Sequence, residues 1–114
     1  MANRSQRDSI KVFETSPGAW SLTMDVGDET GVLEAAGYEP GGYTWEGVAR
    51  TLVRTQAPHL EGRFGYDPEG SMFCAYGKDP AALRELEGGL RGVVGDAEAL
   101  RTLMESADPE EFED

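Results

Sequence analysis

Carboxylates are the residues of this sequence whose types and spacing come nearest to chemistry. Asp25, Asp28 and Glu29 lie close together, and oxygen ligands of this kind bind divalent cations. A calcium loop of the EF-hand type, however, needs ligands at alternate positions, a central glycine and a late glutamate. The spacing of these acids does not match, so we interpret the segment as a solvated turn that favours the start of a helix. We therefore predict no metal site and no cofactor.

Two other side chains are considered for catalysis. His59 is the only histidine, and acid-base catalysis needs a nucleophile or an orienting carboxylate that the sequence does not indicate. Cys74 alternates with Met72 and Tyr76 on an apolar strand, where a buried thiol is inert. The glycine-rich run 88–92 lies inside a helical pattern, which argues against a phosphate-binding loop. None of these residues forms a recognisable catalytic constellation.

The charge balance restricts the partners. The chain has 114 residues, with ten Lys and Arg against 22 Asp and Glu, and a formal net charge of −12. Nucleic-acid binding requires a basic face, so we expect no nucleic-acid partner, whereas a basic protein suits the charge. The single cysteine cannot form an internal disulfide. Because we find neither a membrane span nor a signal peptide, we expect a cytoplasmic protein without a membrane partner.

Hydrophobic periodicity predicts the elements that position these residues. Alternation of apolar and polar side chains predicts four strands. They lie near residues 8–15, 19–26, 60–67 and 70–77. Apolar residues at helical spacing predict helices. These lie near residues 44–56, 79–94 and 96–105, with a shorter one within 28–38. Two hairpins separated by helices predict an α+β fold, a four-stranded antiparallel sheet with helices packed on one face.

The helix over 44–56 carries the strongest pattern. Its continuous apolar stripe, at one-turn spacing, comprises Trp45, Val48, Ala49, Leu52 and Val53. Thr44 has the position of an N-cap, as do Asp79 and Asp96 before the two later helices. Tyr43 has that of a hydrophobic staple against the stripe, with an interface role as the alternative.

The last ten residues differ from the rest in composition. Residues 105–114 hold six acids and no base. We therefore expect a single domain over residues 1–104, followed by a solvated acidic tail over 105–114.

Two stretches resemble the signatures of a known family. Residues 37–49 resemble the pattern Gly-Tyr … Gly-Tyr-x-Trp-x-x-Val-Ala of the immunity protein 51 family of bacterial polymorphic toxin systems. Residues 64–76 are similar to that family's second signature, a Phe-Asp-x-Glu-x-Met-Phe hairpin followed by an alanine and an aromatic residue. The resemblance extends over residues 13–104. The chain departs from the family pattern at Gly41, where asparagine is frequent, and at Tyr66, where phenylalanine more often precedes the aspartate.

The resemblance implies a small α+β protein, encoded beside a secreted toxin, that binds and silences that toxin in the producing cell, and that is not an enzyme. It leaves the activity of the cognate toxin domain open. Many toxin domains are nucleases with a basic active surface, which an acidic inhibitor can block. Two other hypotheses remain: a small metal-dependent enzyme that uses Asp25, Asp28 and Glu29, and a chaperone or adaptor for toxin secretion.

A partner-binding surface is expected where the helices leave the sheet uncovered. Phe13 and Phe73 have the opposite parity to the main core residues of their strands, so we place both on the uncovered face. Neighbouring loops add acids, and the start of the main helix adds an aromatic ring. The predicted contact residues are Phe13, Phe73, Asp28, Glu29, Glu39 and Tyr43. The acidic tail is the alternative site.

Overall fold

The computed structural model describes residues 10–25, 31–39, 41–94 and 96–112. The strands are β1 (Lys11–Ser16), β2 (Ala19–Asp25), β3 (Gly65–Tyr66) and β4 (Met72–Gly77). The helices are α1 (Gly31–Ala35), α2 (Gly42–Gln56), α3 (Pro80–Val93) and α4 (Ala97–Met104). Pro58–Leu60 and Pro109–Phe112 form short 3₁₀ helices. The predicted α+β fold is confirmed.

Two hairpins form one antiparallel sheet. The strand order is β1-β2-β4-β3, which places β2 and β4 in the centre. Leu22 pairs with Ala75 and Met24 pairs with Phe73, and all four side chains are buried. Because alternate side chains of a strand point to opposite faces, these pairs define the face that the helices cover.

The helices cover that face with the residues that their periodicity predicts. All five residues of the apolar stripe on α2 are buried, and Trp45 is only 1% exposed. The other two long helices bury Leu83, Leu86, Leu90, Val93, Leu100 and Leu103. The predicted core of the helical layer is therefore confirmed.

The helix starts agree with the sequence in two cases out of three. Asp79 accepts hydrogen bonds from the backbone N–H groups of Ala81 and Ala82 and caps α3, as predicted. Asp96 caps α4 in the same way. The prediction for Thr44 is wrong, since α2 begins earlier, at Gly42.

The strand predicted over 60–67 is wrong for most of its length. Only Gly65–Tyr66 pairs with β4. Pro58, whose ring fixes φ, starts a 3₁₀ turn that directs Leu60 into the core, where it is buried. Gly62 then reverses the chain at a φ of 80°.

The last described residues are packed against the domain. Pro109–Phe112 packs on α2. The ring of Phe112 also stacks on that of Tyr38, which follows α1, at a centroid distance of 4.1 Å. The Thr51 hydroxyl donates a hydrogen bond of 2.8 Å to Glu111. The expectation of a solvated tail is wrong for Glu111 and Phe112, which are half-buried, because composition reveals the charge of the segment but not its partners.

Candidate partner-binding surface

Among the described residues, the sheet face opposite the helices carries no buried side chain, and we call it the open face. Its residues are Lys11, Phe13, Ser21, Thr23, Asp25, Met72, Cys74 and Tyr76. The register places them in rows across the sheet. In one row Ser21 lies between Phe13 on β1 and Tyr76 on β4, and in the next Thr23 lies between Lys11 and Cys74.

Two aromatic rings rise from this face. Phe13 is 42% exposed and Tyr76 is 49% exposed, high values for large apolar side chains. Gly65 on β3 pairs with Tyr76, and a Cβ on this glycine would lie 2.7 Å from the Tyr76 Cζ. The Tyr76 ring therefore leans over the edge strand and away from Ser21. Small polar side chains, Ser21 and Thr23, lie on the strand between the two that carry the rings, and we call this strip the trough.

Carboxylates lie at one end of the trough. Asp25 is exposed at the end of β2, opposite Met72. Burial raises the pKa of the Cys74 thiol, and the negative charges of Asp67 and Glu69 raise it further. Both acids are therefore close enough to the open face to act on a group there.

The start of α2 is held against the same end of the sheet. Met72 donates a hydrogen bond to the Glu69 carbonyl and so closes the β3–β4 hairpin. Gly42 lies against this turn: its N–H donates to the Gly70 carbonyl, and a Cβ on it would lie 2.2 Å from the Met72 carbonyl oxygen. Only glycine allows this approach. Tyr43, the next residue, therefore lies near the acidic hairpin.

A comparison with protein families matches residues 13–109 to immunity protein 51. The chain belongs to the immunity protein 51 family. Comparisons with curated proteins and with solved structures found no match. The family match spans the sheet from Phe13 onward and the helices α1 to α4, and it ends at the first residue of the last 3₁₀ helix.

The structure describes four of the six predicted contact residues. Phe13 lies on the open face, as predicted, and Glu39 is exposed. Tyr43 is 52% exposed, so its interpretation as a staple is wrong and the interface alternative remains. The prediction for Phe73 is wrong, since its side chain is fully buried against Met24.

Asp28 and Glu29, the remaining two predicted residues, lie outside the described residues. Sequence reasoning missed Tyr76, because β4 is apolar on both faces and its parity alone does not select the covered one. The register of β4 with β2 determines which face of β4 the helices cover.

The other two side chains considered for catalysis, His59 and Cys74, lie on opposite sides of the sheet. His59 is exposed and contacts Glu85, on the helical side. Cys74 is half-buried on the open face. Within residues 10–25, 31–39, 41–94 and 96–112, no group of three or more His, Cys, Asp or Glu side chains is arranged to hold a metal ion. Nor does any helix in these ranges have the length and apolar character needed to cross a membrane.

Two arginines of α2, Arg50 and Arg54, form a cluster of contacts with other parts of the chain, and Arg54 binds the C-terminal segment. Arg54 donates to Glu111 at 2.8 Å, and the guanidinium of Arg50 lies 4.7 Å from the centre of the Tyr66 ring. Arg50 also forms an ion pair with Glu46. Burial raises the pKa of Tyr66, although the positive charge of Arg50 opposes the shift. Both arginines thus have partners within the chain, and we assign this cluster to stability.

Proposed function

We propose that this protein binds a cognate secreted toxin in the cytoplasm of the producing cell and neutralises it as a stoichiometric inhibitor. The observation that carries the proposal is the family match over residues 13–109. The fold adds a sheet whose second face carries exposed aromatic rings, a feature that is typical of protein-binding surfaces.

The proposed partner is a basic protein domain. The net charge of −12 favours association with a positively charged surface and opposes association with nucleic acid. A toxin that acts on nucleic acid needs such a basic surface for its own substrate. An acidic inhibitor that covers this surface would exclude the substrate without any catalytic activity of its own.

The proposed contact residues combine aromatic and acidic side chains. Phe13, Tyr43 and Glu39 stay in the set because each is exposed, and Tyr76 takes the place of the buried Phe73. Asp28 and Glu29 are retained from the sequence.

Co-expression in a bacterial host tests the proposal. The toxin domain encoded beside this protein is expressed from an inducible promoter, with and without this chain. We expect growth arrest by the toxin alone and full growth when both are present. Purified toxin that binds this chain and stays active would identify a secretion chaperone instead. Persistent growth arrest with both proteins present would contradict the proposed function.

A further inference from the structure

We propose that the open face is where the toxin docks, with Phe13 and Tyr76 as apolar anchors and Asp25, Asp67 and Glu69 as the end that pairs with basic side chains. This inference rests on the proposed function and specifies its surface. The partner it fits is a protein face that presents arginine or lysine.

The trough has the dimensions of a site for long side chains. Phe13 and Tyr76 lie on strands separated by β2, so their backbones are about 10 Å apart, twice the distance between neighbouring strands. The side chains of Ser21 and Thr23 on the intervening strand are small. A side chain lying over these two residues would therefore have an aromatic ring on either side and could pack its stem on one of them.

The acids near the trough favour a cationic side chain from the partner. The acids at the end of the trough are Asp25, Asp67 and Glu69. Glu69 forms a β-bridge with Met72, and the Asp67 N–H donates a hydrogen bond to the Cys74 carbonyl. The nearest base on the face is Lys11. Arginine and lysine have apolar stems that pack on aromatic rings and cationic ends that reach for carboxylates. The rings lie where such a stem would pack, and the carboxylates lie where the cationic end would reach. Arginine is favoured over lysine because its planar guanidinium can bind a carboxylate in a bidentate way.

The opposite side of the domain fits a partner less well. There the exposed cations Arg50 and Arg54 are paired with Glu46 and Glu111, and the rings of Tyr66 and Phe112 are partly buried. Large exposed apolar side chains among the described residues are Phe13, Tyr43 and Tyr76. Two of these three lie on the open face, and Tyr43 lies beside its acidic end.

Cys74 supplies a reporter within the surface, because it is the only cysteine of the chain and lies on the open face beside Thr23. We expect the toxin domain encoded beside this protein to slow the alkylation of Cys74 by N-ethylmaleimide at least tenfold. The control is a Cys74→Ser chain with Glu98→Cys, which moves the thiol to exposed α4 on the helical side. Its alkylation rate should not change on addition of toxin.

Binding of variants supplies the second readout. Replacing Phe13 or Tyr76 by Ser should weaken the Kd about tenfold or more in each case, as expected for central anchors. Asp67→Lys with Glu69→Lys should weaken it by a similar factor and lower the association rate. The matched control, Glu98→Lys with Glu105→Lys, changes the net charge equally on the helical side and should bind within about twofold of the wild type.

The outcomes separate the surface from the function. If the wild-type chain inhibits the toxin but Cys74 stays reactive and the open-face variants bind normally, the docking surface is wrong and the proposed function stands. If the wild-type chain neither binds nor inhibits the toxin, both are wrong. Thermal melts show whether each variant is folded, and the Cys74 reporter needs no substitution on the surface at all.

Discussion

The ring of Phe112 occupies the place where Gly47 has no side chain: a Cβ on Gly47 would lie 2.1 Å from the Phe112 Cδ2. Gly47 lies in the middle of α2, where glycine costs about 0.5–1 kcal/mol relative to alanine. The same ring stacks on Tyr38, so one contact fastens the C-terminal segment to both α2 and the residues after α1.

Gly47→Ala should therefore destabilise the fold despite its gain in helix propensity. We expect a net loss of about 1–3 kcal/mol in the free energy of unfolding, because the added methyl group displaces the Phe112 ring. Gly92→Ala in α3, where a Cβ meets no atom within 4 Å, is the control and should be neutral or stabilising. Urea denaturation measures both. A stabilised Gly47→Ala would show that the segment does not pack there.

Gly42→Ala should be at least as damaging. The new Cβ would meet backbone carbonyl oxygens of Met72 and Glu69 at 2.2 and 2.4 Å, and backbone yields less readily than a side chain. We expect a loss of about 2–3 kcal/mol. Gly70→Ala in the same hairpin turn meets nothing within 4 Å and should be nearly neutral. Equal effects of the two changes would contradict the close approach of α2 to the hairpin.

Trp45→Ala should cost about 3–5 kcal/mol, because the ring, at the first position of the α2 stripe, is buried in the core. Trp45→Phe should cost far less than Trp45→Ala. The buried indole N–H has no hydrogen-bond partner among the described residues, so phenylalanine removes an unsatisfied donor while keeping an aromatic ring. Chemical denaturation of both variants tests this order, and a loss below about 1 kcal/mol for alanine would mean an exposed ring.

Acid should weaken the attachment of the C-terminal segment. Burial alone would raise the pKa of Glu111, but hydrogen bonds from Arg54, the Asp108 N–H and Thr51 outweigh it and lower the pKa. Because the pKa is lower in the folded state, the carboxylate stabilises the fold above the ordinary glutamate pKa of about 4.3. That contribution is lost as the pH falls through the lowered, folded-state value.

The difference in unfolding free energy between the wild type and Glu111→Gln should therefore be largest near neutral pH and shrink in acid. Denaturation from pH 7 to about pH 3 measures it. Glu110→Gln, at the exposed neighbouring position, is the charge-matched control. A Glu111→Gln difference that stays constant over this range would contradict the pairing with Arg54.

The sequence predicted the elements whose signal is local. The α2 stripe repeats at one-turn spacing around a single buried face, so Trp45 and Leu52 could be assigned to the core directly. β2 alternates between buried and half-buried side chains in the same clear way. Asp79 and Asp96 identified two helix starts, because capping depends on neighbours within one turn.

The rest depends on contacts between distant residues. β4 is apolar on both faces, and only its register with β2 decides that Phe73 is buried while Tyr76 is exposed. The segment with Phe112 was predicted to be an acidic tail because the residue it packs against, Gly47, lies 65 residues earlier in the chain and gives no local signal. The structure therefore places Phe13 on the open face, where the sequence placed it, and Phe73 in the core, where the sequence did not.

The central claim, inhibition of a cognate toxin, is tested most directly by titrating the purified toxin domain with this chain and measuring residual toxin activity. We expect activity to fall linearly and to reach zero at one equivalent when the toxin concentration is far above the Kd. The chain with Phe13→Ser and Tyr76→Ser should give a shallow curve that needs excess protein. Full toxin activity at a large excess of the wild-type chain would contradict the claim.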